Sequence, residues 1–204
     1  MKQWMKSAML CTAVVFSQPL WAGDAALYGA MAPADSGFFR IMNASDSSLT
    51  VEFKGKSFSL GSGECSSYAF TAPGDYTLSL NGNNLPLKLK TGQQQTVVWD
   101  ASGSKLLDEQ AFKNKAKARV ALYNLTKSSL SLLTNKGAPV IGPVTSGAFS
   151  AREVNTVQVT LSVGDGQKTL LSTGSMLLKR GTSTSLFVTS IAGQPHLTTV
   201  EAAR

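Results

Sequence analysis

The sequence predicts an all-β protein made of two tandem antiparallel β-sandwich domains. Apolar and polar residues alternate in short segments, and Gly, Pro and Asn turns separate these segments. No segment after the first 22 residues has an amphipathic pattern long enough for a helix. One pattern also occurs twice, as GFFRIMNASDSSLTVEF at 37–53 and KARVALYNLTKSSLSLL at 117–133. We therefore expect two copies of one domain, arising from an internal duplication and joined by a short linker.

The two copies correspond at both ends. Placing Asn43 on Asn124 aligns their openings, and placing Gly92 on Gly181 aligns LPLKLKTGQQQTVVW with SMLLKRGTSTSLFVT. The second offset is about eight residues larger than the first, so the second copy contains extra residues. We place them in Thr134–Ser150, where Gly, Pro and Ser predict a long surface loop.

The N-terminus has the order of an export signal. Lys2 and Lys6 precede the apolar segment Ala8–Phe16, and Ala22 follows a polar stretch that contains Pro19. The apolar segment is far shorter than the roughly 18 residues expected of a membrane span. The sequence predicts a signal peptide at 1–22, a periplasmic location and no transmembrane segment after cleavage.

Four further segments follow the signal peptide. They are an irregular lead-in at 23–36, a first β-sandwich at 37–107, a charged linker at 108–117 and a second β-sandwich at 118–204. Phe112 is the large apolar residue of the linker, and we expect it to insert between the domains.

Period-two alternation defines the expected strands. Leu49 and Val51 represent the apolar face of one strand. The other expected core positions are Phe53, Tyr76, Leu78, Leu80, Leu85, Leu87 and Leu89 in the first domain and Val157, Val159, Leu161 and Val163 in the second. Asn81–Asn84 predicts a hairpin turn, and the triplets Asn43-Ala44-Ser45 and Asn124-Leu125-Thr126 indicate side-chain hydrogen bonding in turns.

Charge is distributed unevenly between the halves. Residues 23–110 carry six basic and nine acidic residues, whereas residues 111–204 carry eleven basic and three acidic residues. The basic second domain predicts an acidic partner, either a protein or an anionic polysaccharide. Its opening contains the candidate partner-binding residues Lys113, Lys115, Lys117 and Arg119, together with Phe112.

Catalytic, metal-binding and cofactor-binding patterns are missing from the sequence. His196 is the one histidine, and no G-x-S-x-G motif or Asp shortly before His196 accompanies it. Cys65 is the one cysteine after the signal peptide, so we expect a structural thiol and no intramolecular disulfide. No nucleotide fingerprint or aromatic-basic interleaving predicts a cofactor or a nucleic acid. We therefore expect a noncatalytic protein without a metal or cofactor.

Several stretches resemble a known family. ALYGAMAP at 26–33, FFRIMNAS at 38–45 and AFKNKAKARVALYNLT at 111–126 are similar to the AlgF family of periplasmic accessory proteins in alginate O-acetylation. The resemblance implies a noncatalytic adaptor that binds or positions a membrane acyltransferase and the periplasmic acetyltransferases that contain the catalytic Ser, His and Asp. It provides no established catalytic residues to transfer to this chain.

Other functions remain open at this stage. The acetylated polymer is alginate in the first interpretation and cellulose in an alternative, and the polymer itself is a further candidate ligand. A two-domain chaperone of the pilus-assembly type is also exported, basic and built from β-sandwiches. An acetyltransferase or esterase in its own right is the third class.

Overall fold

The structure is a computed structural model and describes residues 32–166 and 168–202. These residues form eighteen β-strands and no helix. The predicted signal peptide at 1–22 and most of the predicted lead-in at 23–36 lie outside them. Within the described ranges, the chain forms no helix that could span a bilayer. The all-β fold class is confirmed.

The strands fall into two successive halves. The first half contains β1 (Gly37–Asn43), β2 (Leu49–Phe53), β3 (Lys56–Leu60), β4 (Ala69–Thr71), β5 (Gly74–Leu80), β6 (Asn83–Leu89), β7 (Gln93–Asp100) and β8 (Gly103–Gln110). The second half contains β9 (Ala118–Asn124), β10 (Leu130–Thr134), β11 (Pro139–Val144), β12 (Ala148–Val154), β13 (Val157–Val159), β14 (Leu161–Gly164), β15 (Thr169–Ser172), β16 (Met176–Leu178), β17 (Ser183–Ile191) and β18 (Gln194–Ala202).

The first half is a sandwich of two four-stranded sheets, ordered β4-β1-β7-β8 and β3-β2-β5-β6. Its core receives side chains from both sheets, including Phe39, Ile41 and Val97 from one and Leu49 and Val51 from the other. The alternation predicted for β2, β5 and β6 is confirmed, because Leu49, Val51, Leu78, Leu80, Leu87 and Leu89 are all buried. Burial of alternate residues explains why these strands read as apolar-polar repeats.

The second half repeats this arrangement with sheets β12-β9-β17-β18 and β11-β10-β14-β15. Its core includes Val120, Leu122, Leu132, Val163 and Leu186. The strand expected across Val157 to Val163 is interrupted and forms β13 and β14. The short β13 pairs with β16 in a separate ribbon, and Val157 is 44% exposed. The prediction of a core position at Val157 is therefore wrong.

One pairing in each half is parallel. β1 pairs with β7 so that Ile41 lies opposite Val97, and β9 pairs with β17 so that Leu122 lies opposite Leu186. The remaining strand pairs among the described residues are antiparallel. The sheets β4-β1-β7-β8 and β12-β9-β17-β18, which we call the inner sheets, are therefore mixed. Alternation reveals which face of a strand is buried but not the direction of its neighbour, so the sequence did not predict this pairing.

The turns after β1 and β9 use the same side-chain chemistry. Asn43 Oδ1 accepts the backbone N–H of Ser45 at 3.1 Å, and Asn124 Oδ1 accepts that of Thr126 at 3.0 Å. Each Asn Nδ2 donates to backbone carbonyls further along, including Ser47 O for Asn43 and Ser128 O for Asn124. The prediction of turn chemistry at these triplets is confirmed. The matching halves are what a duplication would produce, and duplication as their origin stays a prediction.

The prediction of a long surface loop at Thr134–Ser150 is wrong. This segment contains β11 and the beginning of β12. β11 tolerates Pro139 and Pro143 because it lies at the edge of its sheet, where a missing N–H need not interrupt the ladder on both sides. β12 is likewise an edge strand, with β9 as its partner. Edge position explains why a segment with few large apolar residues still forms strands.

The connection between the halves is short. β8 continues to Gln110, three residues beyond the predicted end of the first domain at 107, and β9 begins at Ala118. Residues 111–117 therefore join the two inner sheets. The division into two separately folding domains stays a prediction.

Candidate functional site

The two halves meet through their inner sheets. Their shared layer, the interface cluster, consists of the buried side chains Met42, Val98, Leu107, Ala121, Tyr123 and Phe187. The intervening residues of β9, such as Val120 and Leu122, point into the second core. Both faces of β9 are thus buried, which explains its nearly continuous apolar sequence.

Peripheral hydrogen bonds also link the halves. Lys105 Nζ donates to Gly147 O at 2.6 Å, and Thr198 Oγ1 donates to Gly63 O at 2.5 Å. The Ala192 N–H donates to Asp46 Oδ1 at 2.7 Å. These bonds lie on several different loops and strands, so the contact extends beyond the interface cluster.

Arg40 lies in this layer with only 1% of its surface exposed. Its Nε donates to Thr96 Oγ1 at 2.8 Å, and its Nη1 donates to Ser185 Oγ at 3.1 Å. Its Nη2 donates to Glu109 Oε1 at 3.2 Å and to Tyr123 Oη at 2.9 Å. Two acceptors belong to the second half, so one side chain from β1 connects both halves.

Glu109 is the counterion of this buried arginine. Its Oε1 also accepts a hydrogen bond from the Thr96 hydroxyl, and its Oε2 accepts one from Tyr68 Oη at 2.9 Å. A buried ion pair is tolerated when further hydrogen bonds satisfy the remaining donors and acceptors. We call Arg40, Tyr68, Thr96, Glu109, Tyr123 and Ser185 the arginine cluster.

Charge stays separated inside the arginine cluster. Burial alone raises the pKa of Glu109, but the Arg40 charge and the hydrogen bonds from Thr96, Tyr123 and Tyr68 outweigh it and lower that pKa. Burial alone would lower the pKa of Arg40, whereas Tyr68, Tyr123 and Glu109 raise it. Burial also raises the pKa of Tyr68 and Tyr123. Arg40 and Glu109 are thus ionised at neutral pH, and both tyrosines are neutral.

Aromatic rings complete the surroundings of Arg40. Its Cζ lies 4.5 Å from the ring centroid of Tyr68, 4.8 Å from that of Phe187 and 5.2 Å from that of Tyr123. The Tyr123 ring stacks on Phe187 with centroids 4.3 Å apart. The planar guanidinium both donates hydrogen bonds and contacts ring faces, a combination that lysine would not reproduce.

The arginine cluster connects the halves and does not resemble an exposed reaction centre. Ser185 is buried, and its hydroxyl accepts a bond from Arg40. The sequence analysis missed the cluster. The available signal was Arg40 itself, a charge inside the apolar run FFRIM, where an unpaired charge would be costly.

Cys65 packs against the interface cluster while keeping part of its surface exposed. Burial, with a smaller contribution from Glu109, raises the pKa of its thiol to about 12 although Arg40 opposes the shift. A thiol with this pKa is almost entirely protonated near neutral pH and is a poor nucleophile.

The predicted partner-binding cations do not form one exposed group. Lys113 and Lys115 are exposed. Lys117 is half-buried and its Nζ donates to Asn155 Oδ1 at 2.6 Å. Arg119 is only 8% exposed, and its Nη1 donates to Gln110 O at 2.7 Å. The four cations therefore differ in exposure, because Arg119 belongs to the buried strand β9.

A cleft of about 530 Å³ opens beside these residues, where the 111–117 connection passes the end of β12. Its walls comprise Gln110, Ala111, Phe112, Lys113, Asn114, Arg119, Ala151, Arg152 and Glu153. Phe112 is buried as expected, but it lines this cleft and is not a member of the interface cluster. The structure thus brings Phe112, Lys113 and Arg119 together and adds Arg152, which the sequence analysis did not single out.

His196 is exposed on β18 and lies against the Gly63 backbone. A Cβ built on Gly63 would be 2.8 Å from His196 Cδ2, which shows how closely the two halves approach there. In the described part of the chain, His196 has no hydrogen bond to a hydroxyl or carboxylate. The same residues contain no group of three or more His, Cys, Asp or Glu side chains suited to a metal ion.

Comparison with known proteins identifies the family. A family model described as "Alginate O-acetyl transferase AlgF" matches residues 11–185. The chain belongs to the AlgF family. The resemblance predicted from the lead-in, the strand openings and the linker is therefore confirmed.

Individual relatives extend over most of the chain. The "Alginate biosynthesis protein AlgF" of Pseudomonas syringae pv. tomato is 36% identical over 181 residues, covering 86% of this chain and 80% of the relative. The protein of that name from Pseudomonas aeruginosa is 35% identical over 197 residues, covering 94% and 90%. A solved structure of the C-terminal domain of AlgF from P. aeruginosa is 34% identical and covers 43% of this chain and all of that domain, with a TM-score of 0.40.

Proposed function

We propose that the protein is a noncatalytic periplasmic adaptor for the O-acetylation of alginate. It binds acetyltransferases of the pathway and positions them relative to one another. Membership of the AlgF family and the alginate-related names of its relatives support the pathway. The export signal predicted at 1–22 supports the compartment.

The observation that carries the adaptor role is the buried connection between the halves. Arg40 of β1 bonds to Tyr123 of β9 and Ser185 of β17, all within a packed layer. Such a layer holds the acidic first half and the basic second half together, which suits a protein that positions partners. His196, by contrast, lacks a bonded hydroxyl or carboxylate among the described residues, which favours a role without a catalytic triad.

An acetyltransferase activity of the protein itself is the second candidate, since the matching family model carries that description. The purified protein would then release acetate from an acetyl ester or transfer the acetyl group to a mannuronate oligomer. If the protein is an adaptor, we expect the acetyl ester to react no faster with the purified protein than in buffer alone. The cellulose and pilus-chaperone alternatives are less favoured, because the relatives are named for alginate biosynthesis.

A deletion strain tests the proposed function. We expect its exported alginate to lack acetyl groups, and we expect the wild-type chain to restore them. His196→Ala should restore them equally well, because His196 makes no catalytic contact in the described residues. Loss of acetylation with a folded and abundant His196→Ala protein would overturn the adaptor proposal and favour an enzyme.

Binding and location are tested separately. The purified protein should bind the periplasmic domain of an acetyltransferase from the same pathway in calorimetry. Protein recovered from the periplasm should have the mass of a chain that starts at or near Gly23. Absence of binding to every acetyltransferase of the pathway would contradict the adaptor proposal.

A further inference from the structure

We propose that the cleft beside the 111–117 connection is a carboxylate-binding site that receives an Asp or Glu side chain from an extended segment of a protein partner, with Arg119 as its anchor. This inference rests on the proposed adaptor function for the source of that partner. It assigns the contact to one cleft and to one chemical group.

The hydrogen bonding of Arg119 is incomplete. A guanidinium has five N–H donors, and the described structure gives this one a single acceptor, Gln110 O. The buried side-chain nitrogen and oxygen atoms without a partner in the described ranges are Gln95 Oε1 and Thr189 Oγ1. The unused Arg119 donors are therefore not sealed in the interior, and they reach the cleft that the residue lines.

Arg119 also has no counterion among the described residues. Arg119 is 8% exposed, yet the ion pairs among the described residues are Arg40–Glu109, Lys88–Asp75 and Lys179–Glu201. A largely buried cation is costly unless an anion accompanies it. Arg40 has such a partner and Arg119 does not, so an external carboxylate would supply what the fold omits.

Glu153 is the nearest internal candidate for that counterion, because it pairs with Arg119 on the β9–β12 ladder. Its Oε2 instead accepts a hydrogen bond from Asn114 Nδ2 at 2.6 Å. Asn114 thus holds the internal carboxylate against the 111–117 connection. Lys113 and Arg152 add positive charge to the walls, so cations outnumber the one anion three to one.

The shape of the site favours a protein segment over a polysaccharide. Phe112 is 7% exposed and forms an apolar wall beside the arginine. β12 is an edge strand whose exposed stretch includes Ala151 and Arg152. An extended peptide can pair with the free edge of a strand and insert a carboxylate and an apolar side chain together. A polyuronate has no backbone amides for such a ladder.

The test measures binding of the full mature chain to the periplasmic domain of a pathway acetyltransferase by calorimetry. We expect Arg119→Gln to weaken binding about 10- to 100-fold, because a largely desolvated charge contact is lost. Arg119→Lys should recover only part of the affinity, since an ammonium lacks the bidentate fork. Arg180→Gln, at an exposed position of the second half, is the matched control and should leave the affinity unchanged.

Two further variants keep the test decisive if Arg119→Gln proves unstable. Arg152→Glu changes an exposed wall residue and should weaken binding several-fold. It should change the melting temperature little, because the one hydrogen bond that it removes, from Arg152 Nη1 to Val140 O at 3.1 Å, is exposed. Glu153→Gln removes the internal competing carboxylate and should strengthen binding. Unchanged affinity in Arg119→Gln, Arg152→Glu and Glu153→Gln would overturn the inference while leaving the adaptor function intact.

The remaining outcomes separate the inference from the proposed function. If the wild-type chain binds no acetyltransferase, the adaptor function fails first. If it binds an alginate oligomer and Arg119→Gln abolishes that binding, the site takes a uronate, which overturns the proposed protein segment. If Arg119→Gln weakens acetyltransferase binding and the alginate oligomer shows no binding, the inference is supported.

Discussion

Arg40 Nη2 lies 3.2 Å from Glu109 Oε1, and both side chains are almost fully removed from solvent. The pair joins β1 to β8 within the first half, while the same guanidinium bonds to the second half. Because the pair is buried, removing one partner should cost more stability than removing both. The single remaining charge would be desolvated and uncompensated.

We expect Arg40→Met to destabilise the protein by about 3–5 kcal/mol, the range for removing one member of a buried ion pair. Glu109→Gln should be destabilising for the same reason. The double variant should lose less than the two single losses combined, because neither charge then remains alone. Urea unfolding at pH 7 measures all three free energies.

The matched control for that cycle is the pair Lys88–Asp75, at 3.7 Å with side chains 72% and 79% exposed. Lys88→Met should change the free energy of unfolding by less than about 1 kcal/mol, since exposed pairs contribute little. Equal effects at Lys88 and Arg40 would contradict the structural role assigned to the buried pair.

Glu109 should also give the protein an acid-sensitive component of stability. Its folded pKa is lowered from 4.5, so the unfolded chain binds the proton more readily. The contribution of this group is fully present above about pH 4.5 and is lost as the pH falls through the folded pKa. In urea unfolding between pH 3 and 7, Glu109→Gln should therefore lose less stability with acidification than the wild-type chain does. A Glu109→Gln profile parallel to that of the wild-type chain would show that this carboxyl is not linked to folding.

Cys65 should react slowly with a disulfide reagent while the protein is folded. A rise in pKa from 9.0 to about 12 reduces the thiolate at pH 8 by roughly a thousand-fold. The mature chain, which starts at Gly23, contains Cys65 as its one cysteine. We expect this thiol to be labelled at least about 100-fold faster in denaturing urea than in the folded protein. Ser67→Cys in a Cys65→Ser background places a thiol at an exposed position and should react quickly in the folded state. Fast labelling of folded wild-type protein would contradict the raised pKa of this thiol.

The strands with one wet face were predictable, whereas the contact between the halves was not. Alternation identified Leu49 and Val51 because one side of β2 faces the core. The parallel direction of β7 relative to β1 depends on how the intervening strands connect them. It produces no periodic pattern of apolar residues in the sequence. The proline and glycine residues of β11 led to the prediction of a loop. They are tolerated because β11 is an edge strand, which needs little apolar surface.

The candidate site was predicted in part. Phe112, Lys113 and Arg119 line the cleft, and their proximity in sequence made that possible. Arg152 comes from β12, whose pairing with β9 depends on tertiary structure. The burial of Arg119 follows from its place on β9, a strand covered on both faces, and a count of charges could not reveal it. The hydrogen-bond partners of Arg40 lie between 56 and 145 residues away and could not be read from local patterns.

Both turn asparagines should be important for stability. Asn124 Nδ2 donates to Ser128 O at 2.7 Å and to Val144 O at 2.8 Å, and Asn124 is fully buried. Asn124→Asp keeps the shape but turns a carboxylate oxygen toward these two carbonyls. We expect a loss of at least about 2–3 kcal/mol, because the buried acceptors lose their donor and meet a negative charge.

Asn43→Asp should have a similar or larger effect in the first half. Its Nδ2 donates to three carbonyls, those of Ser47, Leu60 and Gly61 at 2.8, 3.1 and 2.9 Å. Asn155→Asp, at an exposed position, is the control with the same chemical change. Its Oδ1 accepts a hydrogen bond from Lys117 Nζ, which a carboxylate oxygen can also accept, so stability should change by less than about 1 kcal/mol. Urea unfolding of the three variants decides the matter. Losses at Asn43 and Asn124 no larger than at Asn155 would mean that the two turns do not depend on their amide donors, and the equivalence of the halves would then have no energetic basis at these positions.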